Sequence, residues 1–200
     1  MIKYVLASAS PRRKELLEQV GMEFCIMPAN GEEIITKELP WEIVEELSYE
    51  KALEIADKID ADDNFDKKND TIVIIGSDTI VAYGKEIMGK PKDDADAYRM
   101  LNMLQNNTHQ VYTGVTLIVR KENEKQVITF HDKTDVMMYP MSEKQIKEYI
   151  GTKEPVDKAG AYAIQGKCAI NIKGIHGDYN NVVGLPVAKV IQTLRELNLY

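Results

Sequence analysis

The stretch LASASPRRKELL, residues 6–17, joins a predicted strand to a predicted helix and indicates how the chain begins to fold. Residues 4–7 are mostly apolar and favour a short buried strand. Ser10 stands where a helix N-cap is expected, and Pro11 follows at the first helical position. An apolar stripe then continues to Gly21, which predicts the end of the helix. A strand that passes directly into a helix is typical of α/β proteins.

The same turn carries groups that are able to bind phosphate. Ser8 and Ser10 supply hydroxyls, and Arg12 and Arg13 supply guanidinium groups that can each grip phosphate oxygens with two hydrogen bonds. They lie at a helix start, where unpaired backbone N–H groups and the helix dipole also favour an anion. Two interpretations are open here: a phosphate-binding turn, or a capped surface helix with solvated cations.

Composition limits the classes of function. The 200 residues are 44% hydrophobic and 28% charged, as in ordinary globular proteins, and the formal net charge is −7. This acidic balance argues against a broad nucleic-acid surface. The opening residues lack the apolar core of a signal peptide, and no apolar run approaches the roughly 18 residues of a membrane span. We therefore expect a cytoplasmic protein whose partners include neither nucleic acid nor membrane.

Strand-like and helix-like segments alternate, which predicts an α/β fold with a mixed β-sheet and flanking helices. The polar residues 60–70 predict an exposed loop, and Gly84-Lys85 predicts a hairpin turn. The remaining predicted strands cover 22–27, 71–75, 80–83, 86–88, 110–119 and 126–139, and the remaining predicted helices cover 40–59, 93–104, 143–150 after an N-cap at Ser142, and a last helix from Pro186.

Asp78 is a candidate catalytic carboxylate. Four aliphatic residues, 72–75, precede it and indicate a central strand that is buried on both faces. With the strand ending there, its carboxylate would emerge at the carboxyl end, where open α/β sheets bind ligands. The alternative is an aspartate that only forms a turn.

Two lysines are candidates for contact with an anion. Lys51 falls between Leu47 and Ile55 on a helical wheel, so it interrupts an apolar stripe. Its ammonium group either extends to solvent or meets an anion at the edge of the core. Lys90 offers the same choice, because Pro91 stiffens the backbone after it.

A divalent cation would find hard oxygen ligands in this chain. Glu32 and Glu33 form an acidic pair in a predicted loop and could join Asp78 in binding Mg²⁺ or Mn²⁺, although such pairs are also found simply solvated. No spacing of cysteine or histidine indicates another metal site. We therefore expect plain thiols and structural or surface imidazoles at Cys25, Cys168, His109, His131 and His176.

Several separated motifs resemble, in order, those of the Maf-like nucleoside triphosphate pyrophosphatases, also described as septum-formation inhibitors. So many matches in one order are far more specific than a single loop pattern. The matching motifs are LASASPRR at 6–13, EKA at 50–52, GSDT at 76–79, GKP at 89–91, HQVYTGV at 109–115, DKAGAYAIQG at 157–166 and GDYNNVVGLP at 177–186.

The resemblance implies a fold and a reaction. The fold is an elongated, two-lobed Maf/ITPase-like arrangement with a mixed sheet and a central cleft, formed by residues 1–200 as a single domain. The reaction is cleavage of a nucleoside triphosphate to the monophosphate and pyrophosphate with a divalent metal cation, Mg²⁺ or Mn²⁺. The resemblance also implies a homodimer as a candidate assembly.

The resemblance also implies roles for individual residues. Asp78 matches the proton acceptor of the family, and the sequence leaves open whether it acts as general base or as metal ligand. Three positions match those that set substrate specificity: Arg12, Thr79 and Gln165. The other positions that match the family pocket are Ser8, Arg13, Glu33, Lys51 and Lys90.

The identity of residue 165 points to a subgroup. The motif that ends in Ile164-Gln165-Gly166 resembles the dTTP and UTP hydrolases, whereas the subgroup acting on 7-methyl-GTP has a glutamate in this region. The amide of Gln165 offers a donor and an acceptor together, which match O4 and N3–H of uracil or thymine. We therefore expect a dTTP/UTP pyrophosphatase, with modified pyrimidine nucleotides as further candidate substrates, and the alternative is a nucleotide-binding regulator of septum formation with incidental turnover.

Overall fold

The computed structural model describes residues 1–62, 65, 69–122 and 124–200. Five residues of the predicted exposed loop, at 63, 64 and 66–68, lie outside the described residues. The helices are α1 (Pro11–Gln19), α2 (Pro40–Ala61), α3 (Asp94–Leu104), α4 (Glu143–Gly151), α5 (Tyr179–Val183) and α6 (Val187–Glu196). The strands are β1 (Ile2–Leu6), β2 (Phe24–Ile26), β3 (Thr71–Tyr83), β4 (Glu86–Met88), β5 (Thr108–Lys121), β6 (Glu124–Met138) and β7 (Ile172–His176).

The sheet is mixed, as predicted. Its strand order is β2-β1-β3-β5-β6-β7, with β4 paired to β3. Strand β1 is parallel to both β2 and β3, whereas β4 is antiparallel to β3 and β7 is antiparallel to β6. The predicted hairpin at Gly84 is confirmed, because Tyr83 pairs with Glu86 across it.

Several predicted helix boundaries are confirmed, and others are wrong by a few residues. Ser142 caps α4 through a capping box with Gln145, and α2 begins at Pro40 as predicted. The first helix ends at Gln19, two residues before the predicted end at Gly21. Pro186 is the N-cap of α6.

The main correction concerns the motif GSDT at 76–79. The sequence predicted a strand that ends at residue 75 and a turn after it, but β3 continues without interruption to Tyr83. Gly76 therefore serves close packing within the strand. A Cβ there would lie 2.3 Å from the carbonyl oxygen of Ser48 and 2.8 Å from Cβ of Ala52, both on α2. Only glycine lets the helix approach the strand so closely.

The chain divides into two compact units, and three strands contribute residues to both. The first unit contains Met1–Asp78, Thr113–His131 and Gly184–Tyr200. In its core, the apolar stripe of α2 packs against the aliphatic part of β3. Completely buried side chains of this core include Val5, Ile55, Ile59, Ile72, Ile74 and Ile118.

The second unit contains Thr79–Tyr112 and Asp132–Val183. Helices α3 and α4 pack against each other in this unit, and α3 also contacts the short 3₁₀ turns that follow α4. His109 is completely buried here, and its Nε2 lies 2.8 Å from the hydroxyl oxygen of Tyr162. This contact agrees with the structural role expected for His109.

Within the described part of the chain, the helices all fall short of the length and apolar character needed to cross a membrane.

The close contact between α2 and the strands predicts a large effect of a single methyl group. In Gly114→Ala, the new Cβ would lie 2.1 Å from the carbonyl oxygen of Val44 and 2.8 Å from the backbone nitrogen of Glu45. Because these are backbone atoms of α2, the helix must shift, and we expect a loss of about 1–3 kcal/mol in the free energy of unfolding. Urea unfolding measures this loss.

Gly151→Ala is the matched control, since its Cβ would meet no atom within 4 Å. We expect Gly151→Ala to leave the unfolding midpoint unchanged or to raise it slightly. Equal midpoints for Gly114→Ala and the unchanged protein would contradict it.

Candidate active site

Strand pairing places the end of β1 beside the middle of β3. Leu6 pairs with Ile75 in the parallel register, and the backbone N–H of Ala7 donates to the carbonyl oxygen of Ile75 at 2.9 Å. Strand β1 ends at Leu6, whereas β3 continues to Asp78 and beyond. Asp78 is therefore inside a strand, contrary to the prediction, yet it lies past the carboxyl end of the neighbouring β1.

Lys51 joins two of the predicted carboxylates. Its Nζ contacts Oδ1 of Asp78 and lies 2.8 Å from Oε1 of Glu33. The side chains of Lys51 and Asp78 are 20% and 13% exposed, whereas Glu33 is 54% exposed. The lysine that interrupts the apolar stripe thus reaches carboxylates of the protein at the edge of the core, and its contact with the anion of a ligand stays a prediction.

Arg13 supplies a buried positive charge in the same unit. Its Nε donates to the carbonyl oxygen of Gly184 at 2.8 Å, and a terminal nitrogen donates to Oγ of Ser8 at 3.1 Å. Burial lowers the pKa of the Arg13 guanidinium, and the negative charges of Asp78 and Glu33 oppose that shift. The guanidinium remains charged at neutral pH, since arginine starts from a very high pKa.

The side chain of Ser8, and not that of the predicted N-cap residue Ser10, accepts a backbone hydrogen bond in the turn before α1. Oγ of Ser8 accepts a hydrogen bond from the backbone N–H of Ser10 at 3.2 Å. Ser10 occupies the N-cap position of α1, but its side chain makes no capping hydrogen bond. The turn before α1 is therefore organised around Ser8 and Arg13, and Arg12 is partly exposed on the first turn of the helix.

The other predicted binding residues belong to the second unit. Thr79 follows Asp78 on β3 and is half-buried, whereas Lys90 and Gln165 are exposed. The backbone N–H of Gly160 donates to the carbonyl oxygen of Gly89 at 3.1 Å. This hydrogen bond joins the segment just before Lys90 to the motif that carries Gln165.

Sequence reasoning missed Glu54, which fixes the loop before Glu33. The Glu54 carboxylate accepts hydrogen bonds from the backbone N–H groups of Asn30 and Gly31 at 3.0–3.1 Å. The hydrogen bond from the Lys58 ammonium, followed by those from the loop, lowers the pKa of Glu54 to about 2. The pattern gave no sign of this role, because a glutamate near a lysine on an exposed helix surface is common.

The donor set fits a divalent cation. Asp78 and Glu33 each reach the same Lys51 ammonium, so their carboxylate oxygens lie close to one another. Mg²⁺ is usually held by one or two carboxylates, with substrate phosphates and water completing its shell. Among the residues with a described placement, no group of three or more His, Cys, Asp or Glu side chains could hold a metal. The carboxylates of Asp78 and Glu33 are therefore sufficient protein ligands only if phosphate oxygens of a substrate and water complete the coordination shell of the cation.

Comparison with known proteins identifies the family. A model of the Maf-like protein family matches residues 3–197, and the chain therefore belongs to this family. Over its whole length the chain is 54% identical to the dTTP/UTP pyrophosphatase of Agathobacter rectalis, of which it covers 99%. It is 45% identical, again over its whole length, to the dTTP/UTP pyrophosphatase of Lachnoclostridium phytofermentans and covers 97% of that protein.

A third relative is the dTTP/UTP pyrophosphatase of Bacillus cytotoxicus. Identity is 42% over 99% of this chain and 97% of that protein. The family membership predicted from the ordered motifs is confirmed. Each of these three relatives matches 99% or more of the chain.

The pKa of Glu54 predicts a pH-dependent contribution to stability. Its folded value of about 2 lies below the ordinary 4.5, so the contribution is present above pH 4.5 and is lost as the pH falls toward 2. Because the side chain is partly exposed, we expect Glu54→Gln to lower the free energy of unfolding by about 1 kcal/mol at pH 7. Urea unfolding between pH 7 and pH 3 measures the difference between the two proteins.

Asp57→Asn is the matched control, an exposed carboxylate on the same helix. We expect this control to stay close to the unchanged protein throughout. A destabilisation by Glu54→Gln that is equally large at pH 7 and pH 3 would show that the carboxylate charge is not its cause.

Proposed function

We propose that this protein hydrolyses dTTP and UTP to the nucleoside monophosphate and pyrophosphate. The observation that carries the proposal is the placement of the Lys51 ammonium between the carboxylates of Asp78 and Glu33. A cation that is already held at the edge of the core can bind phosphate, and the carboxylates beside it can accept a proton or bind a metal. The names of relatives that match the whole chain support this choice of substrates.

Phosphate binding is assigned to the cationic residues and to the turn before α1. Arg13 is held in place by Gly184 and Ser8, so it loses little conformational entropy when it meets an anion. Hydrolysis of a phosphoric anhydride depends mainly on positioning and charge neutralisation. The residues proposed to bind the triphosphate are Ser8, Arg12, Arg13, Lys51 and Lys90.

Asp78 is the proposed proton acceptor. A water molecule attacks the α-phosphorus, the bond to the bridging oxygen breaks, and pyrophosphate leaves with the electron pair. Asp78 orients the water and takes its proton, while the Lys51 ammonium keeps the carboxylate in place. In the alternative role of Asp78 as a metal ligand, Asp78 and Glu33 would hold Mg²⁺ or Mn²⁺, which would neutralise negative charge on the leaving pyrophosphate.

Base selectivity is assigned to Gln165, with Thr79 and Arg12 as further specificity positions. The side-chain amide presents an N–H donor and a carbonyl acceptor side by side, which pair with O4 and N3–H of uracil or thymine. The two bases share this edge, so we expect little discrimination between them. A base with a different edge leaves polar groups unpaired and is rejected.

A panel of nucleoside triphosphates tests the proposal. The purified protein is assayed with dTTP, UTP, CTP, ATP and 7-methyl-GTP, with Mg²⁺, with Mn²⁺ and with chelator, and monophosphate and pyrophosphate are quantified. We expect turnover of dTTP and UTP with similar kcat/KM, at least about tenfold weaker turnover of the others, and none in chelator. Nucleotide binding without turnover would instead support the regulatory alternative, and equal rates for UTP and 7-methyl-GTP would exclude the assigned subgroup.

We call the charged side chains of Lys51, Arg13, Asp78 and Glu33 the charged cluster. Substitutions in this cluster should lower turnover and leave the protein folded. Asp78→Asn and Lys51→Met each remove one partner of the central ion pair, and we expect at least a 100-fold lower kcat/KM for UTP. Thermal unfolding checks that both variants fold. Lys144→Met is the control, because the side chain of Lys144 on α4 is 85% exposed. This variant should keep full activity. Full activity of Lys51→Met with a raised Tm would contradict the assignment of Lys51.

The homodimer and the cytoplasmic location implied by the sequence stay predictions. Light scattering coupled to size-exclusion chromatography would measure the oligomeric state directly. We expect a mass of about twice the 22.6 kDa of one chain.

A further inference from the structure

Two side chains hold the segment around Gln165 on both sides. The hydroxyl of Tyr149, on α4, accepts a hydrogen bond from the backbone N–H of Ala163 at 3.2 Å. The same hydroxyl donates to Oε1 of Glu154 at 2.8 Å, and Oε2 of Glu154 accepts from the backbone N–H of Lys167 at 2.9 Å. The two anchored N–H groups are thus two residues before and two residues after Gln165.

We call this pair of side chains, Tyr149 and Glu154, the clamp. Both side chains are in the protonation states that these hydrogen bonds require. Burial raises the pKa of the Tyr149 hydroxyl, which therefore keeps its proton and donates it to Glu154. Burial alone would raise the pKa of Glu154, but hydrogen bonds from the Lys167 N–H, Tyr149 and the Cys168 N–H outweigh it and lower the pKa. Glu154 is thus an ionised acceptor at neutral pH.

Gly166 shows how closely the clamp fits the segment. A Cβ at this position would lie 2.3–2.4 Å from the carboxylate atoms of Glu154. That carboxylate is tethered by Tyr149 and Lys167, so it cannot simply turn away. The glycine beside Gln165 therefore leaves the space that the clamp occupies.

Gln165 itself has an exposed side chain, so burial does not fix its position. A side chain that selects a base must be held to within about 0.5 Å of the productive geometry. Anchoring the backbone on both sides supplies this restraint without covering the amide.

We propose that Tyr149 and Glu154 are positioning residues that set the base selectivity of Gln165, an inference that rests on the proposed function. They act through the backbone of residues 163–167 and do not touch the substrate. Loss of the clamp should let the Gln165 amide sample positions in which it no longer distinguishes uracil from cytosine.

The test compares UTP with CTP, since these bases differ at the edge that Gln165 is proposed to read. Tyr149→Phe removes only the hydroxyl, Glu154→Gln keeps the size but replaces one acceptor oxygen by a donor, and Tyr98→Phe on α3 is the matched control. Each is made in the unchanged protein and in Gln165→Ala. For each protein kcat and KM are measured with both nucleotides, and thermal unfolding confirms folding.

We expect both clamp variants to raise the KM for UTP and to lower the UTP/CTP ratio of kcat/KM about tenfold, with kcat changed less than threefold. In the Gln165→Ala background we expect no further change, because the residue that the clamp positions is gone. Tyr98→Phe should leave the ratio unchanged. Two variants at different residues keep the test valid if one of them fails to fold.

An unchanged UTP/CTP ratio in the clamp variants would overturn the inference. An equal fall of activity in both backgrounds would also overturn it, because that pattern marks a merely structural role. Absence of UTP hydrolysis by the unchanged protein is a different result, since it would contradict the proposed function itself.

Discussion

The contact of Lys51 with Asp78 and Glu33 depends on how closely α2 lies against β3. Ser48 and Ala52, on either side of Lys51 in the helix, are the residues that a side chain at position 76 would strike. Gly76 therefore allows the approach that lets a helix lysine reach a carboxylate two residues further along the strand. A larger residue would push α2 outward and lengthen the ion pair, so packing and charge are set by the same contact.

Charges of both signs face each other in the cluster before any substrate binds. Lys51 and Arg13 are positive, whereas Asp78 and Glu33 are negative, and Asp78 and Arg13 are largely buried. The attraction between these opposite charges offsets part of the cost of burying them. A triphosphate would bring several negative charges and would compete most easily with Glu33, because this carboxylate is the more exposed partner of Lys51. A divalent cation between the carboxylates and the phosphates would offset this added negative charge.

The sequence was informative where a local pattern determines the structure. The apolar stripe of α2 predicted both the helix and the unusual position of Lys51, and Ser142 predicted the start of α4. The ordered motifs identified the family, which the comparisons confirm. These features depend on residues that are close together in the chain or on motifs that stand alone.

Other features depend on contacts between distant residues and were not predictable from the pattern. Gly76 reads as the start of a turn, because only the packed helix shows why a strand needs a glycine there. One partner of Arg13 is the backbone carbonyl of Gly184, and a carbonyl leaves no signature in a sequence. The clamp of Tyr149 and Glu154 likewise joins side chains to backbone groups and has no residue pattern of its own.

We propose that this charged cluster directs water to the α-phosphorus of a pyrimidine nucleoside triphosphate. Hydrolysis of UTP in ¹⁸O-labelled water, followed by mass spectrometry of both products under single-turnover conditions, distinguishes attack at the α-phosphorus from attack elsewhere. We expect one ¹⁸O atom in the monophosphate and none in the pyrophosphate. Label in the pyrophosphate, or release of orthophosphate in place of pyrophosphate, would contradict it.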